Sequence, residues 1–253
     1  MTFHTFCKSF FLIIMLCLTF LLCQILALAL VAFAGQLADM SESGLRVAIG
    51  SLLGGGFMLF LMSVRNWISW SHAFAKPDIS VPHFCVVIAG ASSVVIGLNL
   101  FAEMVPLPDN NAEQMISLLQ QPLGILAVAL VSPLVEELLF REAMIGGLLR
   151  MEVRPWLAVL VSSVAFGAIH ANPAQIPFAF IMGLLFGTIY LRTKSVVLTF
   201  LLHVVNNSLA VFFQARYGEE VILSDLLGPF LPAWIVASIL CVLGFIMVRR
   251  SLR

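Results

Sequence analysis

The sequence predicts an all-α, polytopic membrane helix bundle with about eight transmembrane helices, and three observations carry that prediction. Of 253 residues, 61% are hydrophobic and only 10% are charged. Mean hydropathy is +1.08, far above what a soluble domain needs. The apolar residues also fall in long runs, each approaching the roughly 20 residues that a helix needs to cross a hydrocarbon core. Such a bundle consumes nearly the whole chain, so residues 1–253 read as a single integral membrane domain.

The runs are Phe10 to Ala34, Leu45 to Val64, Phe84 to Ala102, Leu123 to about Leu149, Trp156 to His170, Ile176 to Leu191, Val196 to Phe213 and Phe230 to Val248. Several are short for a full crossing, so their ends must borrow flanking residues or line cavities inside the protein. In the first run, Ala32-Phe33-Ala34-Gly35 fits a small-residue cleavage pattern after a start containing His4 and Lys8. The run nevertheless exceeds the roughly 7 to 15 residues of a signal-peptide core. A retained first helix is expected; its removal would leave seven spans.

If the segments alternate, Lys8, Arg65, Lys76, Arg150, Arg154, Arg192, Lys194, Arg249, Arg250 and Arg253 fall on one side, whereas only Arg46 and Arg216 fall on the other. The positive-inside rule then makes both termini cytoplasmic, in a plasma (inner) membrane. The segment from Glu103 to Gln121 has no Lys or Arg and suits the outer face, and its Pro106-Leu107-Pro108-Asp109-Asn110-Asn111 stretch reads as a turn-rich connection. A formal net charge of zero gives no basic surface for nucleic acid. Cys7, Cys17, Cys23, Cys85 and Cys241 lack Cys-x-x-Cys spacing and read as small apolar side chains.

The fourth run contains Pro133-Leu134-Val135-Glu136-Glu137-Leu138-Leu139-Phe140-Arg141-Glu142. Each charge inside a membrane helix costs about 2.5 to 3.5 kcal/mol on insertion scales, so these charges must be paired or used. The bland reading is that the helix ends at Leu139 and the charges sit among headgroups. Spacing favours the other, because Glu137 and Arg141 are four apart with the acid N-terminal, the better order for a pair on one helix face. Glu136 is turned about 100° away and left without that partner, as suits a carboxylate that works as a general base or acid.

Two histidines accompany it: His170 at the end of the fifth run, and His203 in the seventh, four residues before Asn207 and on the same helix face. Counted from the basic residues at about 1.5 Å per residue, Glu136 and His170 lie about 21 Å deep, Asn207 about 20 Å and His203 about 14 Å. Three segments therefore bring a Glu, two His and an Asn toward one water-containing cavity, with the core of the site at about residues 123–213.

These residues resemble the motifs of the CAAX prenyl protease type II family, also called the CAAX protease and bacteriocin-processing family of intramembrane proteases. Glu136-Glu137-x-x-x-Arg141 is similar to the first motif, Phe166-x-x-x-His170 to the second and His203-x-x-x-Asn207 to the third, in successive order. The resemblance covers Pro133 to Ser208 and implies a peptide-bond hydrolase acting on a protein or peptide substrate at the membrane lipid. It further implies that Glu136 and His170 activate a water while His203 and Asn207 stabilise the oxyanion, with Glu137 and Arg141 as a structural pair.

A metal-free site with no cofactor is expected. The competing chemistry is zinc held by Glu136, His170 and His203, for which carboxylate and imidazole ligands are suitable. The competing function is a non-catalytic membrane scaffold, immunity protein or transporter, in which the same residue types relay protons or hold helices together. Gly183-x-x-x-Gly187 reads as a close-packing stripe, Trp67 and Trp70 as interface anchors, and Asn172-Pro173 as the end of the fifth segment.

Overall fold

A computed structural model describes residues 3–37, 43–105, 107–217, 223–227 and 232–252. Pro106, the start of the eighth apolar run at Phe230, and Arg253 lie outside the described residues. The long helices are α1 (Phe3–Leu37), α2 (Ser43–Val64) and, after the single turn α3 (Trp70–Ala73), α4 (Val81–Met104). A short α5 (Ala112–Leu119) precedes α6 (Pro122–Arg150), followed by α7 (Pro155–Ile169), α8 (Ile176–Thr193), α9 (Val197–Tyr217) and α10 (Ala233–Ser251). Among the described residues seven helices are long and apolar enough to cross a membrane, and α7 is shorter at 15 residues. The eight apolar runs thus correspond to seven full spans and one shorter helix.

Helices pack in antiparallel pairs, α1 on α2, α4 on α10 and α7 on α8, with α6 against α9. The α7–α8 contact depends on the small-residue stripe. A Cβ on Gly183 would stand 3.0 Å from Ser163 Cα, and one on Gly187 2.9 Å from a Val159 methyl. With no water to expel from between helices in lipid, such close backbone approach is what gives helices their mutual attraction.

Hydrogen bonds sort the connections into two ends. At one end, Asp78 N–H donates to Thr193 O and Val196 N–H to Ala73 O. Ser195 Oγ donates to Ala75 O at 2.7 Å, and His72 Nδ1 lies 2.8 Å from Glu142 Oε2. This end holds Arg65, Lys76, Arg150, Arg154, Arg192 and Lys194 and is called the basic end below. At the opposite end, Ala174 N–H donates to Pro108 O and Ser224 N–H to Glu103 Oε2.

Candidate active site

The helix that carries the paired glutamates is irregular for a reason that its sequence supplies. Helix α6 is wound in π turns over Ala127–Val131 and Leu138–Ile145, features that cluster at functional sites. In the first, Ser132 N–H reaches five residues back to Ala127 O. The next donor in that register would be Pro133, which has no N–H to give to Val128 O. Asn207 fills the position, donating from Nδ2 to Val128 O at 2.9 Å. One third-motif side chain therefore caps a carbonyl that the proline and the wide turn leave open, fastening α9 to α6.

Glu137 sits at the centre of the sealed part. It is fully buried, accepts from Arg141 Nε at 2.9 Å and Nη2 at 3.3 Å, and lies 3.0 Å from His203 Nδ1. The guanidinium of Arg141, also fully buried, lies 5.0 Å from the Phe166 ring centroid and 5.8 Å from that of Phe186. Nη1, without a hydrogen-bond partner among the described residues, thus faces aromatic quadrupoles. A charge pair of this kind balances its desolvation cost only while every member stays in place.

Glu136 points elsewhere. Its side chain is 14% exposed, and Oε2 is buried without a hydrogen-bond partner among the described residues, 3.8 Å from His203 Nε2. The depth count had set His203 about 7 Å nearer the basic end than Glu136, and the structure corrects that offset by bringing the two side chains together. Helical rise counts backbone depth alone, and the reach of the two side chains closes the difference.

Both imidazoles have one nitrogen committed. His170 caps α7 and its Nδ1 lies 2.8 Å from Phe166 O; a carbonyl only accepts, so Nδ1 carries the hydrogen. In the neutral ring that leaves Nε2 as an acceptor. Glu137 fixes Nδ1 of His203 as a donor in the same way. Phe166, the other half of the second motif, packs edge-on against both rings, at 5.1 Å from His170 and 5.8 Å from His203.

Glu136, His170, His203 and Asn207 all line one cavity of about 510 Å³. Asn99 and Asn206 line it as well. Asn99 Nδ2 donates to Val95 O at 3.0 Å and to Asn206 Oδ1 at 3.2 Å, and Asn206 Nδ2 donates to Asn207 Oδ1 at 3.0 Å. Asn99 was absent from the sequence reading, although a lone amide within an otherwise apolar membrane segment is a signal in its own right. Asn172, read as a helix stop, is in addition fully buried, donating to Asp109 Oδ1 at 2.9 Å just beyond Ala171 at φ 49°. A second cluster, in which buried Glu142 meets Tyr190 OH at 2.8 Å and the half-exposed His72 at 2.8 Å, ties the 65–80 segment to α6 and α8, away from the cavity. Among the described residues no three His, Cys, Asp or Glu side chains stand close enough to hold one metal ion, so no step below is routed through zinc.

Comparison with known proteins places this arrangement. Residues 118–209 match the model of a family described as Type II CAAX prenyl endopeptidase Rce1-like. The chain is 31% identical over 105 residues to the protein named "Putative membrane peptidase YdiL" of Bacillus subtilis (strain 168), a match covering 41% of this chain and 43% of that protein. It is 32% identical over 117 residues to the membrane-embedded CAAX protease MroQ of Staphylococcus aureus (strain USA300), covering 44% and 47%. The chain therefore spans under half the length of these relatives. No solved structure matches it.

Proposed function

We propose, from the match of residues 118–209 to the Type II CAAX prenyl endopeptidase Rce1-like family, that this protein is an intramembrane endopeptidase that hydrolyses a peptide bond in the cavity beside Glu136. The observation that carries the reading is the Glu136 carboxylate, whose buried Oε2 has no hydrogen-bond partner among the described residues and faces His203 across 3.8 Å. A group held this way is available to take a proton from water as that water attacks the scissile carbonyl.

His170 supports the same step through Nε2, the acceptor left when Nδ1 donates to Phe166 O. The tetrahedral intermediate places a negative oxygen opposite the attacking water. His203 serves it through an Nε2–H, which requires the imidazolium form with Nδ1–H on Glu137, and Asn207 through the Nδ2 hydrogen not used on Val128 O. Collapse breaks the C–N bond, and the proton held by Glu136 passes to the departing amine. Glu137 and Arg141 hold His203 and the helix, taking no part in the proton movement.

The test is cleavage of an internally quenched peptide library by the purified protein in detergent, with Glu136→Gln as the paired control. Turnover by the parent and none by the variant is the expected result; equal turnover overturns the mechanism. Elemental analysis and assay after exhaustive chelation address zinc separately. Stoichiometric zinc, with activity lost to the chelator and restored by zinc alone, would reassign His203 from oxyanion donor to ligand.

A further inference from the structure

The position of the cavity along the bundle says from which side a substrate reaches it. Its lining runs from Glu136, His203 and Asn207 to Asp109, Gln175 and Gln214, and the exposure of Asp109 and part-exposure of the two glutamines mark that side as the mouth. Asp109 is exposed and belongs to the connection between α4 and α5; Gln175 immediately precedes α8; Gln214 lies in the last turns of α9. All three lie toward the end opposite the basic one. No residue from the 65–80 segment, the 151–154 turn or the 194–196 turn lines the cavity.

Toward the basic end the route is closed. Every residue of α6 from Glu137 to Leu148 is buried, and Phe140, Phe186 and Arg141 are fully so. On the way to the mouth, by contrast, α6 alternates buried with part-exposed positions. The basic end is the cytoplasmic one under the positive-inside rule, since it gathers the Lys and Arg of the short connections.

We infer that the catalytic cavity is open only to the non-cytoplasmic face, so that the substrate is a peptide presented from outside the cytoplasm. The inference rests on the hydrolase reading above and adds a side to it. A cavity of about 510 Å³ is of the size that encloses a drug-sized ligand. It therefore receives a few residues around the scissile bond, while the rest of the substrate stays in the outer leaflet or beyond. Its walls are mixed: Leu98, Phe178 and Met182 supply apolar contact and Asn99 and Asn206 polar contact, which suits an extended backbone whose own N–H and C=O groups need partners.

The experiment places single cysteines in a full-length chain whose five cysteines are replaced by Ala. Gln175→Cys and Gln214→Cys report the mouth, and Ser71→Cys, on the exposed 65–80 segment, reports the basic end. Intact cells and inverted membrane vesicles are treated with a membrane-impermeant maleimide. The expected result is modification of both mouth cysteines in intact cells and of Ser71→Cys only in vesicles, with modified Gln214→Cys losing peptide cleavage and modified Ser71→Cys keeping it. Mouth cysteines modified only after inversion, equally from both sides, or not at all until the protein is denatured would each overturn the inference. A parent protein that cleaves no peptide would instead defeat the hydrolase reading while leaving the labelling pattern intact, so the two failures are told apart.

Discussion

The two halves of α6 are built on opposite rules, although one helix carries both. From Pro122 to Glu136 its side chains are shared among lipid, cavity and neighbours; from Glu137 to Leu148 every one is buried. The boundary falls between two adjacent glutamates. Glu137 is locked by Arg141 and His203, whereas Glu136 has no hydrogen-bond partner at Oε2. Under the proposed function, identical side chains one residue apart take a structural and a reactive task through a turn of about 100° around the helix. The lesson is that an intramembrane charge cluster should be divided by partner before any member is assigned to chemistry.

The largest effect expected from breaking this contrast is on the reactive side. Glu136→Gln keeps the shape and removes the proton acceptor, so kcat/KM for peptide cleavage should fall by about 10² to 10⁴-fold. Thermal unfolding in detergent should be unchanged, since no hydrogen bond to Oε2 is lost. A matching drop in melting temperature would show that Glu136 belongs with the sealed half after all.

On the sealed side the order of effects reverses. Arg141→Ala leaves Glu137 as a buried carboxylate facing His203 alone, and removing one member of a buried pair costs about 3 to 5 kcal/mol. Thermal scans should show a destabilised protein, with activity lost in proportion to the folded fraction. A variant that folds normally but does not turn over would instead make Arg141 a participant in catalysis.

Much of this division was legible in the sequence, and the parts that were not share a cause. The spans were visible because lipid demands long apolar runs, and the i, i+4 spacing of Glu137 and Arg141 is a property of one helix that needs no tertiary knowledge. The π turns of α6 were not visible: Pro133 signals a missing donor, but the carbonyl it leaves open is known only once Asn207 is seen reaching it from α9. Asn99 was overlooked for the same reason, its partner Asn206 lying 107 residues away. The meeting of His203 with Glu136 at 3.8 Å was not legible from a depth count, because helical rise places backbones and not the side chains that reach from them. Local spacing reads local pairs; the rest is set by what the fold brings alongside.

A milder probe lies within the sealed half, toward the basic end. Tyr190 donates to Glu142 Oε2 at 2.8 Å in a site where His72 approaches the same oxygen. Tyr190→Phe removes a hydrogen bond to a charged acceptor, and a cost of about 1.5 to 3 kcal/mol is expected in unfolding experiments. Because this cluster does not line the cavity, KM and kcat of the folded fraction should both remain at parent values. A selective rise in KM would mean that the basic end communicates with the cavity.

The smallest effect is expected at Asn99, an uncharged member of the cavity wall. Its amide donates to Val95 O within α4 and to Asn206 Oδ1 across to α9, and Asn206 in turn donates to Asn207 Oδ1. Asn99→Ala leaves Val95 O with the intrahelical donor that an α-helix provides, so one neutral interhelical hydrogen bond is lost, worth about 0.5 to 1.5 kcal/mol. Asn99 is exposed toward the cavity, so water can replace part of that loss and stability should lie at the low end. The informative quantity is kcat. With Asn206 no longer held from α4, the Asn207 amide is positioned only by Val128 O, and a donor aimed less well at the oxyanion lowers kcat without changing KM. Asn99→Asp sharpens the reading, since it keeps the size but cannot donate to Asn206 when ionised. Equal, few-fold losses of kcat in both variants are expected, measured on the quenched peptide. A change confined to KM would make Asn99 a substrate contact and detach it from the chain of amides that ends at Asn207.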